Sequence, residues 1–254
     1  MKAPFAVVFA STIVLLAQLD RIDPRFQTSA SFVLAAQSLP SACAPSPASP
    51  RTPALFAPQD LGLLEPPDRD QWQRPDQIMD LLQIAEGSVV ADLGAGGGWF
   101  TAKLSSRVGP NGLVYAEDIQ PAMIEVIERR TVRESLRNVR TVLGTANDPR
   151  LPSGIDAALI VDAYCEMEIP PGDPVMILRR LAESLKPDGR VGIVDFNQGG
   201  GGPGPAPDQR VNIEAVIEAA AAAGLRLITR EPQVNQFQFL LVFGKVVAGP
   251  RAVK

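Results

Sequence analysis

The sequence predicts an α/β fold in which a doubly wound, mostly parallel sheet of seven strands ends in an antiparallel strand. Segments with strand and helix patterns alternate along most of the chain, and this order favours a parallel sheet covered by helices. Residues 157–161 form a continuous apolar run, which is typical of a strand buried on both faces. The last two predicted strands, 225–229 and 237–243, have no helix between them and can therefore pair antiparallel.

Periodicity and turn residues place the other elements. The first helix carries Ile78, Leu81 and Leu82 at the spacing that forms one helical face. A later helix opens at Pro121, since the fixed φ of proline suits a first helical turn. The remaining predicted strands are 88–93, 113–117, 139–143 and 190–196, and the predicted helices are 76–85, 99–108, 121–136, 173–185 and one over about 213–220.

Composition excludes several function classes. The chain contains no histidine, which removes the commonest general base and the commonest zinc ligand. Its two cysteines, Cys43 and Cys165, lie far apart without a metal-ligand spacing. We therefore predict no metal site, no Ser-His-Asp hydrolase and no Cys-His protease. The net charge of −4 gives no broad electrostatic footprint for nucleic acid.

An apolar segment precedes the predicted domain, which we place at 71–246. Residues 3–19 carry no charge, and their length fits a signal-peptide core or a short anchor. We predict a signal or anchor segment at 1–39, and two alternatives are a buried core helix and a wrongly assigned start codon. A signal or anchor segment implies a membrane-associated or exported protein, whereas a wrongly assigned start codon implies a cytoplasmic protein.

Two further regions flank the predicted domain. Residues 40–70 are rich in proline among Ser and Ala, a composition typical of an extended linker. Residues 247–254 form a tail.

A glycine-rich motif, VVADLGAGGGWF at 89–100, predicts a strand, a sharp turn and the start of a helix. Gly94, Gly96 and Gly98 let a ligand approach the backbone without a Cβ in the way. The helix that follows directs its free N–H groups at that ligand. A dinucleotide fingerprint requires a third glycine where this chain has Trp99, so the pyrophosphate pattern is not met.

The D-x-G-x-G-x-G pattern resembles motif I of the class I S-adenosylmethionine (SAM)-dependent methyltransferases. The resemblance covers about residues 70–245 and is closest to the small domains of the ubiquinone/menaquinone-biosynthesis type. It implies the Rossmann-like fold of that family, SAM as the cofactor, and methyl transfer to an acceptor, which we expect to be a small molecule. Two alternatives stay open: a nicotinamide-dependent oxidoreductase on a Rossmann fold, and a non-catalytic SAM-binding module.

The resemblance also implies where the cofactor binds. Asp118 ends the second strand, and its carboxylate would accept hydrogen bonds from both ribose hydroxyls. Its neighbour Glu117 is expected to face away, because side chains alternate along a strand. Asp92 would help to hold the methionine ammonium group. The cofactor-binding residues that we predict are Asp92, Gly94, Gly96, Gly98, Asp118, Ile119, Asp148 and Asp162.

At the position expected to contact adenine, this chain departs from the family pattern. Relatives often carry an acid directly after the glycine that follows the third strand, and this chain has Thr145 there. Asp148 or Asn147 is the substitute that we consider, although both residues are also common turn formers.

The catalytic residues that we predict are Asp162, Tyr164 and Glu166, after the fourth strand. The family places acceptor and methyl-transfer residues there, and relatives often carry a histidine where this chain has Cys165. Asp162, Glu166 and Glu168 are therefore the candidate bases, and Tyr164 would offer an aromatic face to the cationic sulfonium. Methyl transfer can also proceed without a base, because alignment of the reacting atoms supplies much of the acceleration.

A glycine- and proline-rich loop over 199–205 leaves the fifth strand at the same edge of the sheet. It is expected to be either a mobile lid over the acceptor or a connector.

Overall fold

The computed structural model describes residues 55–199 and 201–246, and the structural statements below concern these residues. The predicted signal or anchor segment at 1–39, the first part of the predicted linker and the tail at 247–254 lie outside them. Within the described ranges, no helix has the length and apolar character needed to cross a membrane.

One mixed sheet of seven strands forms the centre of the described structure. Its strands are β1 (Val89–Leu93), β2 (Leu113–Asp118), β3 (Val139–Leu143), β4 (Ile155–Val161), β5 (Leu185–Phe196), β6 (Leu225–Glu231) and β7 (Gln238–Lys245). Their order across the sheet is β3-β2-β1-β4-β5-β7-β6. Strand β7 runs antiparallel to β5 and β6, and the other neighbouring pairs are parallel. The predicted fold class is confirmed.

Helices cover both faces of the sheet. They are α1 (Arg69–Gln73), α2 (Pro75–Leu81), α3 (Trp99–Val108), α4 (Pro121–Arg133), α5 (Pro174–Ser184) and α6 (Ile213–Ala222). Side chains that alternate along β4 belong to two separate hydrophobic clusters: Ile160 packs with residues of α5 and α6, and Leu159 packs with residues of α2, α3 and α4. The apolar run of β4 is thus buried on both faces, as expected for a central parallel strand.

The start of β5 differs from the prediction, which placed it at residue 190 after a break. Ile155 of β4 pairs with Leu185, whereas Ala157 pairs with Arg190, so the four residues 186–189 bulge out between two paired positions. Residues 186–189, between the predicted helix and the predicted strand, form this bulge. The pairing on its amino-terminal side depends on β4 and could not be seen in the segment itself.

The topology brings three strand ends together. The chain leads from β1 outward to β2 and β3 and then crosses to β4 on the other side of β1, so the order reverses between β1 and β4. In open α/β sheets, ligands bind outside the carboxyl ends of the strands at such a reversal. The glycine motif follows β1 at this point, and α3 begins directly after it.

Candidate active site at the carboxyl ends of the strands

A cavity of about 200 Å³ lies at the carboxyl ends of β1, β2 and β4. Bare main chain of residues 94–97 lines one side, and side chains of the loops after β2 and β4 line the others. Arg69 is the single cationic side chain among the described lining residues. The acidic side chains in the lining are Glu65, Asp92, Glu117, Asp118, Asp162 and Glu166.

The glycine turn has the backbone conformation that the motif predicts. Gly94 and Gly96 have φ of 65° and 53°, in the left-handed region that favours glycine. A Cβ at Gly94 would come within 2.7 Å of the Cβ of Ala163 in the loop after β4, so the close approach of the two loops also needs glycine. Gly98, with φ of 77°, is the residue that precedes α3 and does not line the cavity.

Asp118 holds the turn in place from the end of β2. One carboxylate oxygen accepts a hydrogen bond from the backbone N–H of Gly96 at 3.0 Å, and the other accepts one from the N–H of Gln120 at 2.9 Å. Burial raises the pKa of Asp118, and these backbone hydrogen bonds oppose that rise. Ile119 also lines the cavity.

Glu117 lines the cavity as well, which the alternation argument did not anticipate. Its carboxyl group is 4% exposed and accepts one hydrogen bond, a long one of 3.4 Å from the N–H of Gly94. Burial, reinforced by the charge of Asp118, raises the pKa of Glu117 to about 8. A Cβ at Gly144 would overlap Oε1 of Glu117, so glycine at the end of β3 leaves the space that this carboxyl group occupies.

Asp92 closes β1 beneath the turn. Its carboxylate accepts a hydrogen bond from the hydroxyl of Thr101 at 2.6 Å. Burial raises the pKa of Asp92 to about 6, against that hydrogen bond and the charge of Arg69. Asp92 therefore lies at the cavity wall and is joined to the first turn of α3.

The loop after β3 uses its polar groups internally. The backbone N–H of Asp148 donates to the hydroxyl of Thr145 at 3.1 Å, and the carboxylate of Asp148 accepts from the N–H of Arg150 at 2.8 Å. Thr145 lines the cavity, whereas Asp148 does not. Asp148 acts as a turn former here, which is the second of the two roles that its residue type suggested.

Asp162, after β4, is held by side chains from distant parts of the chain. Arg69 lies 3.3 Å from its carboxylate, Gln73 donates from 3.1 Å, and Gln238 donates to its other oxygen. The residue has a φ of 57°, a left-handed conformation unusual outside glycine. Burial raises the pKa of Asp162, and Arg69 and the two amides oppose the rise.

The structure separates the other two predicted catalytic residues. Glu166 lines the cavity, and burial raises its pKa. Tyr164 does not: its side chain is fully buried in the hydrophobic cluster under α5 and α6. The suggestion that Tyr164 offers an aromatic face to the ligand is therefore wrong in this arrangement. The 3₁₀ turn Tyr164–Glu168 begins two residues after Asp162 and directs the tyrosine inward, which residue type alone did not reveal.

The loop at 201–205 is not among the residues that line the cavity. Arg210 is 3% exposed and donates to the carbonyl oxygens of Pro205 and Gly201, which ties the loop to the segment before α6. The connector role is the one that this arrangement supports.

Residues 55–65, which we call the covering segment, close the cavity instead. The N–H of Phe56 donates to Glu166 at 3.0 Å, and its carbonyl oxygen accepts from the side chain of Gln120 at 3.0 Å. Arg130 of α4 pairs with Glu65 at 2.5 Å and donates to the carbonyl oxygen of Gly97 at 2.8 Å. The part of the predicted linker that the structure describes thus bridges the loops after β2 and β4. The residue limits of the predicted linker and domain stay a prediction.

Comparison with known proteins identifies the same part of the chain. Residues 90–189 match the family model described as a methyltransferase domain. The chain is 30% identical over 151 residues to nocamycin O-methyltransferase of Saccharothrix syringae, which covers 57% of this chain and 50% of that protein. It is 33% identical over 134 residues to the ubiquinone/menaquinone biosynthesis C-methyltransferase UbiE of Pasteurella multocida, covering 50% of this chain and 46% of that protein. The chain spans about half the length of the curated relatives it matches.

Among solved structures, a SAM-dependent methyltransferase from Aquifex aeolicus superimposes with a TM-score of 0.70 at 25% identity. The match covers 76% of this chain and 100% of that structure. The similarity thus extends beyond residues 90–189 to most of the described fold.

Proposed function

We propose that this chain is a class I SAM-dependent methyltransferase that transfers a methyl group from SAM to a small-molecule acceptor. The observation that carries the proposal is the lining of the cavity at the reversal of the strand order. Bare main chain faces a set of six carboxyl groups and one arginine there. SAM carries a sulfonium and an ammonium cation beside a single carboxylate, so a predominantly acidic cavity matches its charge.

Several described residues would hold the cofactor. The backbone of 94–97 would contact it without interference from side chains, and Asp118 would accept from the ribose hydroxyls. Arg69, stacked 4.2 Å from the ring centre of Trp99, is the described lining residue with the charge to bind a carboxylate. When bound, SAM supplies a methyl group already activated on a positively charged sulfur.

The acceptor would lie on the side of the β4 loop. Phe56, Met167, Ile169 and Ile177 give this side an apolar lining. Glu166 is the acid there that has no cationic partner among the described residues, whereas Asp162 is bound by three donors. This arrangement supports a small, partly apolar acceptor whose nucleophilic O–H, N–H or S–H group faces Glu166.

Binding and transfer can be tested separately. Titration calorimetry should detect S-adenosylhomocysteine binding and no NAD binding, and NAD binding alone would favour the oxidoreductase alternative. Radiolabelled methyl-SAM should then label a small-molecule component of a cell extract. If the cofactor binds and no component of any extract becomes labelled, the non-catalytic binding module replaces the enzyme.

Membrane association through residues 1–39 completes the proposed function. The uncharged stretch 3–19 supports it. Because SAM is made in the cytosol, an anchor would have to keep the domain on the cytosolic side. Fractionation of cells that express the chain with a carboxy-terminal tag should recover it with membranes. A tagged product in the soluble fraction at full size would contradict both the anchor and the cleaved signal.

A further inference from the structure

Glu117 is a buried carboxyl group with most of its hydrogen-bonding capacity unused. A carboxyl group offers about four hydrogen-bonding sites, and buried polar groups in proteins are normally bonded. Glu117 has one partner, the N–H of Gly94 at 3.4 Å, although it is only 4% exposed and lines the cavity. Its neighbour Asp118 has a backbone N–H within 3.0 Å of each oxygen. The difference indicates that Glu117 is open toward a ligand.

The position of Glu117 indicates which part of the ligand it would contact. Its Oε1 lies against Gly144, the glycine at the end of β3. Thr145 and Asp148, which follow this glycine, direct their polar groups into the turn and not into the cavity. At the β2–β3 edge, Glu117 and Asp118 both line the cavity, and Glu117 is the one that lies against Gly144 and has a single hydrogen-bond partner among the described residues.

We propose that Glu117 binds the adenine base of the cofactor, accepting a hydrogen bond from the exocyclic amino group and donating one to the adjacent ring nitrogen. This inference rests on the proposed function, because it assigns a residue to the adenosine end of that same site. It replaces the acid expected after Gly144 with one contributed by the neighbouring strand.

The protonation state of Glu117 suits a two-point contact. With its pKa raised to about 8, the carboxyl group is mostly protonated at neutral pH. A protonated carboxyl group has one O–H donor and a carbonyl acceptor, which complement the amino group and ring nitrogen of adenine. Unsubstituted purine keeps the ring nitrogen but lacks the exocyclic amino group, so it would leave the acceptor oxygen of Glu117 without its donor.

The test compares S-adenosylhomocysteine with its analogue that carries unsubstituted purine in place of adenine, on the wild-type chain, E117Q and E117L, by titration calorimetry. The wild-type chain should prefer the adenosine compound by about tenfold, as expected when a buried acceptor loses its donor. E117Q should keep the preference, because an amide also has a donor and an acceptor. E117L should lose it, with a melting temperature no lower than that of the wild-type chain.

The outcomes separate this inference from the proposed function. If the wild-type chain binds both compounds equally, or if E117L keeps the preference, Glu117 does not bind adenine although the cofactor assignment stands. If the wild-type chain binds neither compound, the proposed function itself fails. If E117L does not fold, equal binding of both compounds by the wild-type chain still overturns the inference.

Discussion

The ends of β2 and β4 both present a buried aspartate to the cavity, but they stabilise it in different ways. Asp118 accepts from backbone N–H groups 22 and 2 positions away in sequence. Asp162 accepts from Arg69, Gln73 and Gln238, which lie 93, 89 and 76 positions away. The first carboxylate is held by its own loop and the glycine turn, and the second by three long-range side chains.

This difference has a chemical consequence. Backbone N–H groups carry no net charge, so the β2 end stays acidic, and Glu117 beside Asp118 stays largely protonated. Arg69 compensates the charge of Asp162, which leaves Glu166 as the acid at the β4 end without a described cationic partner. Variants at the two ends should therefore affect different properties.

Replacement of Asp162 should have the largest effect on stability. Asp162→Ala removes the carboxylate that pairs with the buried Arg69 and that accepts from two amides, and loss of one partner of a buried ion pair costs about 3–5 kcal/mol. Urea unfolding measures this loss. The control is Asp173→Ala, an exposed helix cap whose loss should cost only about 1 kcal/mol. Equal losses in the two variants would show that the network around Asp162 adds nothing.

Replacement of Glu166 should affect transfer and not cofactor binding. Glu166→Gln keeps an oxygen that can accept from the N–H of Phe56, so the covering segment should stay in place. Loss of the base should lower the rate of labelled-methyl transfer by about 100-fold. Glu168→Gln, which changes an acid that does not line the cavity, should transfer normally. An unchanged rate in Glu166→Gln would mean that alignment alone drives the reaction.

Replacement of Asp118 should weaken cofactor binding. Asp118→Ala removes the acceptor for the N–H groups of Gly96 and Gln120 together with the predicted ribose contact. The affinity for S-adenosylhomocysteine should fall by about 1–3 kcal/mol, measured by titration calorimetry. Asp118→Asn keeps one acceptor oxygen, so its affinity should lie between those of the wild-type chain and Asp118→Ala. Wild-type affinity in Asp118→Ala would remove this residue from the site.

The effect expected for Glu117 on stability depends on pH. The folded-state pKa of about 8 lies above the ordinary value of 4.5, so the folded chain holds its proton more tightly than the unfolded chain. Stability should therefore fall as the pH rises from about 4.5 to 8. Glu117→Gln removes this penalty, so its free energy of unfolding should exceed that of the wild-type chain at pH 9, and the gap should close toward pH 5. A pH-independent gap in thermal unfolding would contradict the raised pKa.

Much of the fold could be predicted because its signals are local. The alternation of strands and helices, the apolar run of β4 and the absence of a helix between β6 and β7 indicate the class of sheet that the structure contains. The start of β5 could not be predicted, since Leu185 joins the sheet only through its pairing with Ile155.

The site was predictable to a smaller extent. Asp92, Asp118 and Glu166 line the cavity because they lie at or after the carboxyl ends of strands that meet there. Tyr164 was assigned to the ligand on residue type, and its burial depends on the direction of the turn after Asp162. Strand alternation predicts that Glu117 faces away from the cavity, but alternation no longer separates two faces where the strand ends and Gly144, directly after β3, leaves space.

By itself, the sequence determined the order of strands and helices, the glycine turn after β1 and the acids at the strand ends, because periodicity and backbone conformation depend on neighbours in the chain. Only the tertiary structure decided which acids are neutralised by a basic partner and which acids face the cavity. It also decided which segment of the chain closes the cavity. Those outcomes depend on contacts between residues far apart in sequence, such as Arg69 with Asp162 and Phe56 with Glu166, and on burial, which a linear pattern does not specify.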